Sequence, residues 1–296
     1  MKIQLQWDLQ SGAWPRVSIE AGRDCDYKTP LQRIPLPRGS LAITDLGFFD
    51  TAVLQKRSQE GVFWLSRLQF GTTVFTPEGS ALNLLECLSR QSQRVVDQWI
   101  EIGTVLRVAG RLLAWRVPQK VANRRRQKLI AETQRKRGRM PTRERLAWCD
   151  WTILVTNVPA DMLTPTEALV LYRARWQIEL LFKRWKSLGL VAELTGRTAV
   201  EQMVRLWSRL IAALLEHWLI LSTAWGDPRL SLMKAGQVIR RHVVVIATAI
   251  GRTAHLTSAI EVLKTVVRST AFQNKRRRPS TFELLNAPEL IQQLLT

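Results

Sequence analysis

The sequence predicts an α/β fold, and three observations carry that prediction. Short apolar runs bounded by turn residues recur through the first 117 positions, the pattern of strands. A further run, "WCDWTILVTNVP", reads as a buried strand that stops at Pro159. Behind it, "TPTEALVLYRARWQIELLFKRWKSLG" carries the 3.6-residue period of a long helix, and strands followed by covering helices are the layers of an α/β domain.

The elements follow in order. "KIQLQWDLQSGAWPRVSIEAG" alternates Ile3, Leu5 and Trp7 with polar residues, turns through "DLQSG" and resumes with Val17 and Ile19; that is a hairpin. "TPLQRIP" holds one or two helical turns before Pro35 and Pro37 stop it. Leu41 to Thr44 form a buried strand that ends on Asp45 and a glycine. A carboxylate at the C-terminal end of a strand, just before a turn, is a common place for chemistry in α/β folds. Residues 52–117 form a β-rich block with the runs "GVFWLSRL", "TTVFTPEG", "VVDQWIEIG" and "VLRVAGRLLAWRVP".

From Arg116 to Arg145 the character changes: 12 Lys or Arg stand against two acids, with "NRRRQK" and "QRKRGR" as cores. Such a run is either a solvated helix or loop, or a surface for phosphates, each of which releases counterions when neutralised. In the long helix Thr164 is the N-cap, Pro165 sits at N1 and Glu167 at N3, which is the capping-box order. Gly189 is the expected stop. A second helix covers about 198–224 and a third helical stretch about 230–268; "NKRRRPS" at 274–280 is a basic tail before a last amphipathic piece. The expected parts are 1–51, 52–148 with the basic segment 116–145, 149–270, and the tail 271–296.

Composition narrows the partners. With 46% apolar residues, 296 positions can bury a sizeable core. Forty-four Lys and Arg against 24 Asp and Glu leave a formal charge of +20, which points to a polyanion: nucleic acid first, with an anionic membrane surface or a ribonucleoprotein scaffold behind it. Cys25, Cys87 and Cys149 are far apart and form no C-x-x-C pair, so neither a disulfide framework nor a zinc ribbon is suggested. "LIAALLEHWLILS" is broken by Glu216 and His217 and is too short to span a bilayer. "MKIQLQWDLQ" has no apolar signal region, so a cytoplasmic, nucleoid-associated protein is expected and no membrane partner.

One stripe of the long helix is unusual. At 100° per residue, Tyr172, Arg175, Glu179 and Lys186 share an arc about 60° wide. Trp176, Leu180, Leu181, Phe182 and Trp185 cover much of the remaining circumference, so the stripe is expected to face a groove, with Arg175 and Lys186 as partners for the carboxylate. The ordinary alternative is a surface stripe with one i,i+4 ion pair. Together with Asp45 the stripe means more, because carboxylates in a basic protein repel phosphate unless a metal lies between them.

The spacing Tyr172-x2-Arg175-x3-Glu179-x6-Lys186 resembles the Y-R-E-K signature of the DDE transposases of bacterial insertion sequences, specifically insertion sequence family four. "TDLGFFD" is similar to that family's second-Asp segment, and "LVTNVP" with "LYRARWQIELLFKRWKS" to its Glu segment. The resemblance spans nearly the whole chain. It implies an RNase H-like catalytic core interrupted by a β-rich insertion, and the 134 positions between Asp45 and Glu179 accommodate such an insertion. It also implies that Asp45 and Glu179 are catalytic ligands of Mg²⁺ or Mn²⁺, and that Tyr172, Arg175 and Lys186 contact DNA phosphates. Trp176 is either a base-stacking residue or a core tryptophan. The implied reaction is two-metal phosphoryl transfer, strand cleavage at the element's ends and then joining to target DNA, by a homo-oligomer on double-stranded DNA.

The family's first Asp lies on a central strand ahead of the hairpin, and here the hairpin begins at Met1. Asp8 precedes "LQSG" and reads as a turn residue; Asp24 and Asp26 sit in a loop. The expectation is a core missing its first central strand, with that Asp supplied by an upstream polypeptide or by frameshifting, lost, or left out by a misassigned start codon, and no DNA cleavage by this chain alone. The alternatives are a catalytically dead DNA-binding fragment or inhibitor of transposition, and a metal-dependent nuclease unrelated to transposition.

Overall fold

A computed structural model describes residues 2–23, 25–187, 196, 198–225, 227, 229–272 and 278–291. Its contacts divide the chain into two units, the first made of Met1–Gln6, Arg16–Arg175 and Pro288–Thr296, the second of Trp7–Pro15 and Trp176–Ala287. Gly189, Asp24 and most of the basic tail lie outside the described residues.

The first unit opens with the expected hairpin. β1 (Lys2–Gln6) and β2 (Arg16–Glu20) pair antiparallel, with Ile3 opposite Ile19 and Leu5 opposite Val17. They form a two-stranded sheet of their own. α1 (Pro30–Arg33) is one turn capped by the Thr29 hydroxyl, and β3 (Leu41–Ile43) follows. α2 (Thr51–Gln59) starts at Asp50, whose carboxylate accepts from the Ala52 amide. Next come β4 (Phe63–Arg67), β5 (Val74–Phe75), β6 (Ala81–Leu82), α3 (Leu84–Arg90), β7 (Val95–Ile102) and β8 (Val108–Arg116). The basic segment is helical: α4 (Gln119–Arg137) ends on Gly138 in the left-handed region at φ +63°, and α5 (Arg143–Ala147) succeeds it. β9 (Trp151–Thr156) and α6 (Pro165–Ala174) complete the unit's main elements.

Seven strands make one sheet in the order β3-β4-β9-β8-β7-β5-β6. Only β3 and β4 run parallel; every other pair is antiparallel. Strands from residues 52–148 are therefore hydrogen-bonded directly to β3 and β9, so the sheet runs through both boundaries drawn from composition. The block read as β-rich also contains α2 and α3, short helices whose capping Asp50 and Asn83 are their clearest local signals.

Alternation along the strands sorts two cores. Trp64, Ile153, Val155, Leu112 and Ala114 face one side, where Leu54 of α2 joins them. Leu65, Leu154, Leu113 and Trp115 face the other, with Leu41 and Ile43 beside them and Ala168, Leu171 and Tyr172 of α6 as cover. The result is helix, sheet and helix in three layers, the α/β arrangement expected.

The second unit is helical: α7 (Trp176–Ser187), α8 (Ala199–Ala224), α9 (Leu232–Ala249), α10 (Thr253–Thr270) and α11 (Thr281–Asn286). The third helical stretch is thus two helices, divided where Gly251 turns to φ +93°. Ile220, Ala235, Val238, Ile239, Leu263 and Val267 form their common core. His217, fully buried on α8, lies 2.7 Å from the Gly12 carbonyl and stacks on Trp14 at 3.9 Å between centroids. Burial lowers its pKa to about 4, so the ring is neutral at pH 7. Gly12 is irreplaceable there: its φ is +77°, and a Cβ would come within 2.4 Å of Leu221 and Trp225. Among the described residues no helix is long and apolar enough to cross a membrane.

Candidate active site

Parallel pairing of β3 and β4 brings two charged side chains to one end of the sheet. Ile43 lies opposite Leu65, and the Thr44 amide donates to the Leu65 carbonyl at 3.1 Å. Two residues on, Asp45 and Arg67 follow at the C-terminal ends of the two strands. Because strand side chains alternate, Asp45 shares the face of Leu41 and Ile43, and Arg67 that of Phe63 and Leu65. That is the face covered by α6.

The start of α6 is set by its capping box: the Thr164 hydroxyl accepts from the Glu167 amide at 3.3 Å and the Glu167 carboxylate accepts from the Thr164 amide at 2.8 Å. The preceding loop is held by Arg111 of β8, only 1% exposed, which donates through Nη1 to the carbonyls of Val158 and Leu163, both at 2.9 Å. Its Nε donates to Asp97 at 3.1 Å, completing the charge balance. A helix pinned in this way carries Tyr172 and Arg175 over the strand ends.

There the Tyr172 hydroxyl donates to Asp45 Oδ1 at 3.5 Å, and Arg175 Nη1 stands 3.5 Å from Asp45 Oδ2. The guanidinium also lies 5.7 Å from the centre of the Tyr172 ring. Both contacts to the carboxylate are long, and its side chain is 45% exposed, whereas that of Arg175 is 17% exposed. Burial, and then the Asp45 charge, push the Tyr172 pKa up to about 12, with Arg175 and Arg67 pulling the other way. The phenol is therefore a protonated donor across the physiological range. Three residues expected from spacing and resemblance, Asp45, Tyr172 and Arg175, are thus neighbours in the first unit. Arg67 was not anticipated; 105 positions separate it from Tyr172, and only the parallel register reveals it.

Glu179, Lys186 and Trp176 belong to the second unit. One long helix was expected through the signature; instead α6 closes at Arg175, which keeps helical torsions (φ −48°, ψ −33°), and α7 begins at Trp176. Glu179 and Lys186 lie on α7. Seven positions apart on α7, those two share a face; Glu179 is half-buried and Lys186 exposed. The opposite side buries Leu181, Arg184 and Trp185, with Arg184 3.7 Å from the buried Glu216. Trp176 is 44% exposed, with the Lys183 ammonium 5.3 Å from its ring centre. Asp8 is the turn residue that its context implied, accepting from the Gln10 amide at 2.9 Å and the Ser11 hydroxyl at 2.6 Å, and Asp26 pairs with Lys2 at 2.7 Å.

Hard oxygen donors are the ligands that Mg²⁺ and Mn²⁺ take, and Asp45, accessible and loosely held, is such a donor. Among the described residues no three His, Cys, Asp or Glu side chains gather where an ion could sit.

A family model described as transposase DDE domain matches residues 1–215. The transposase for insertion sequence element IS231F of Bacillus thuringiensis subsp. israelensis is 26% identical over 95% of this chain and 64% of its own length. That for IS231B of Bacillus thuringiensis subsp. berliner is 27% identical over 96% of this chain and 65% of its own. The transposase for IS1151 of Clostridium perfringens is 24% identical over 75% of this chain and 51% of its own. The chain spans less than two thirds of the length of these relatives.

Proposed function

The chain belongs to the transposase DDE domain family, and from that premise we propose that it is the catalytic-domain portion of an insertion-sequence transposase with an RNase H-like core. The reaction proposed is cleavage at the element's ends and transfer of the freed strand to target DNA. The observation that supports it best is the cluster at the end of β3, where Tyr172 and Arg175 of the Y-R-E-K spacing meet Asp45.

Each side chain has a role its chemistry suits. Arg175 offers several N–H donors and Tyr172 one O–H donor, and both can take the non-bridging oxygens of a phosphate. Lys186 adds a point charge, and Trp176 an exposed ring for a base. Asp45 by itself repels phosphate; with Glu179 it is the proposed ligand pair for Mg²⁺ or Mn²⁺. When bound, the ion supplies charge neutralisation at the phosphate and activation of a water or a 3′-hydroxyl.

Work as a homo-oligomer on DNA in the cytoplasm is part of the same proposal. What supports the oligomer is a solvent-facing stripe on α8: Val200, Val204, Trp207, Ile211, Leu215 and Trp218, between 45% and 73% exposed. Their steps of three and four residues are those of a helix-pairing seam.

A second reading is DNA binding without cleavage, for which the formal charge of +20 speaks. Incubation of the purified chain with Mn²⁺ and insertion-sequence-end duplex separates the two. Nicking that disappears in Asp45→Asn and in Glu179→Gln, with DNA affinity retained, supports the transposase reading. Binding without nicking is expected of this chain alone and supports the second reading if nicking stays absent when an upstream polypeptide carrying the first Asp is added, and nicking that survives both substitutions removes these carboxylates from the chemistry.

A further inference from the structure

The run "NRRRQK" looks uniform in sequence, but α4 treats its cations in two ways. Arg125 turns inward, donating through Nη1 to the Trp151 carbonyl at 2.9 Å and through Nη2 to the Thr152 hydroxyl at 3.0 Å. Arg126 pairs with Asp150 and donates through Nε to the Leu146 carbonyl at 3.3 Å. With Ala122, which is fully buried, these two fix one side of the helix to β9 and its approach. On the other side Lys120, Arg124, Lys128 and Arg135 are exposed.

Helical geometry puts those four within an arc of about 80° and spreads them over roughly 22 Å. Ala131 and Gln127 fill the face between them, so nothing bulky interrupts it. Glu132 is the single acid of α4 and lies at the edge of the arc, 3.9 Å from Lys128. Among the described residues Lys120, Arg124 and Arg135 have no acidic partner. A solvated helix of this length ordinarily alternates charge signs, whereas this one keeps a single sign on a face held rigid by its own arginines.

From this arrangement we infer that the Lys120, Arg124, Lys128 and Arg135 face of α4 is a rail for the phosphate backbone of duplex DNA, outside the Asp45 cluster. The inference rests on the reading of the chain as a DNA-acting protein. A strand presents one phosphate per about 3.4 Å of duplex, so the rail is long enough to lie beside on the order of six. Its contacts are to backbone alone, so it holds DNA without reading sequence.

The test measures binding of the purified chain to a fluorescent duplex of arbitrary sequence, across about 50 to 200 mM salt. Lys120→Gln, Arg124→Gln, Lys128→Gln and Arg135→Gln are combined in one variant and also made as two pairs. Arg23→Gln, Arg38→Gln, Arg90→Gln and Arg94→Gln, at exposed positions outside α4, remove the same formal charge in a control.

Each lost phosphate contact lowers the salt slope by about 0.9, so the fourfold variant loses about 3 to 4 and each pair about 2. Affinity of the fourfold variant falls at least about 100-fold at the low-salt end, while the control keeps its slope within about one contact. Melting by circular dichroism stays at the wild-type midpoint, because the four side chains are exposed. Equal loss in control and rail variants, or an unchanged slope in the rail variants, overturns the rail and leaves DNA binding standing. A wild-type chain that shows no salt-dependent DNA binding overturns both.

Discussion

Tyr172 shows how a single side chain can report on the site. Its pKa, pushed up to about 12, has burial as its first cause and the Asp45 charge as its second. The chain has two tyrosines, Tyr27 and Tyr172, so a Tyr27→Phe variant leaves one phenol to titrate. Its near-ultraviolet phenolate absorbance is expected to appear with a midpoint near 12, and to move down when Asp45→Asn is added. The sign follows from linkage: the unfolded phenol ionises first, so the stability Tyr172 contributes is complete below about pH 10 and is lost as pH rises towards 12. A midpoint at the ordinary tyrosine value would remove Tyr172 from its buried position beside the carboxylate.

At the scale of the element, α6 depends on a residue of a different strand. Arg111 ties β8 to the carbonyls of Val158 and Leu163, ahead of the capping box. Arg111→Ala leaves the two buried carbonyls without their donor, and each buried acceptor left unpaired destabilises by about 1 to 3 kcal/mol. Urea unfolding measures it; a change under about 1 kcal/mol would show that the loop does not rely on this guanidinium. Arg111→Met should recover little of the loss, because the Val158 and Leu163 carbonyls still lack a donor. Capping, strand alternation and Asp45's place at a strand end could all be read from local sequence. Arg111 could not, since nothing in its neighbourhood indicates carbonyls 47 and 52 positions away.

Across the whole molecule, a charge of +20 favours association with polyanions, and the apolar stripe on α8 is the surface on which the proposed homo-oligomer would pair. Two half-exposed tryptophans and four aliphatic side chains present on the order of 600 Å² per copy, so a symmetric pair would bury about 1,200 Å², the lower end of specific interfaces. Sedimentation is expected to show a concentration-dependent dimer that Ile211→Glu with Leu215→Glu converts to monomer, the far-ultraviolet circular dichroism unchanged because both side chains are exposed. A chain that stays monomeric at high concentration would reject the stripe as a pairing surface.

Local patterning was enough to establish the hairpin, the strand bearing Asp45, the capped helix after Pro159, the basic run and the spacing of Tyr172, Arg175, Glu179 and Lys186. Each depends on residues within a few positions of one another, where the periods of strand and helix act directly. The tertiary structure alone decided that residues 52–148 share a sheet with β3 and β9, that Arg67 stands level with Asp45, that α6 ends at Arg175, and which arginines of "NRRRQK" are anchors. Those outcomes depend on pairing between distant segments, and a side chain's neighbours across a sheet follow from strand order and register, which periodicity does not encode.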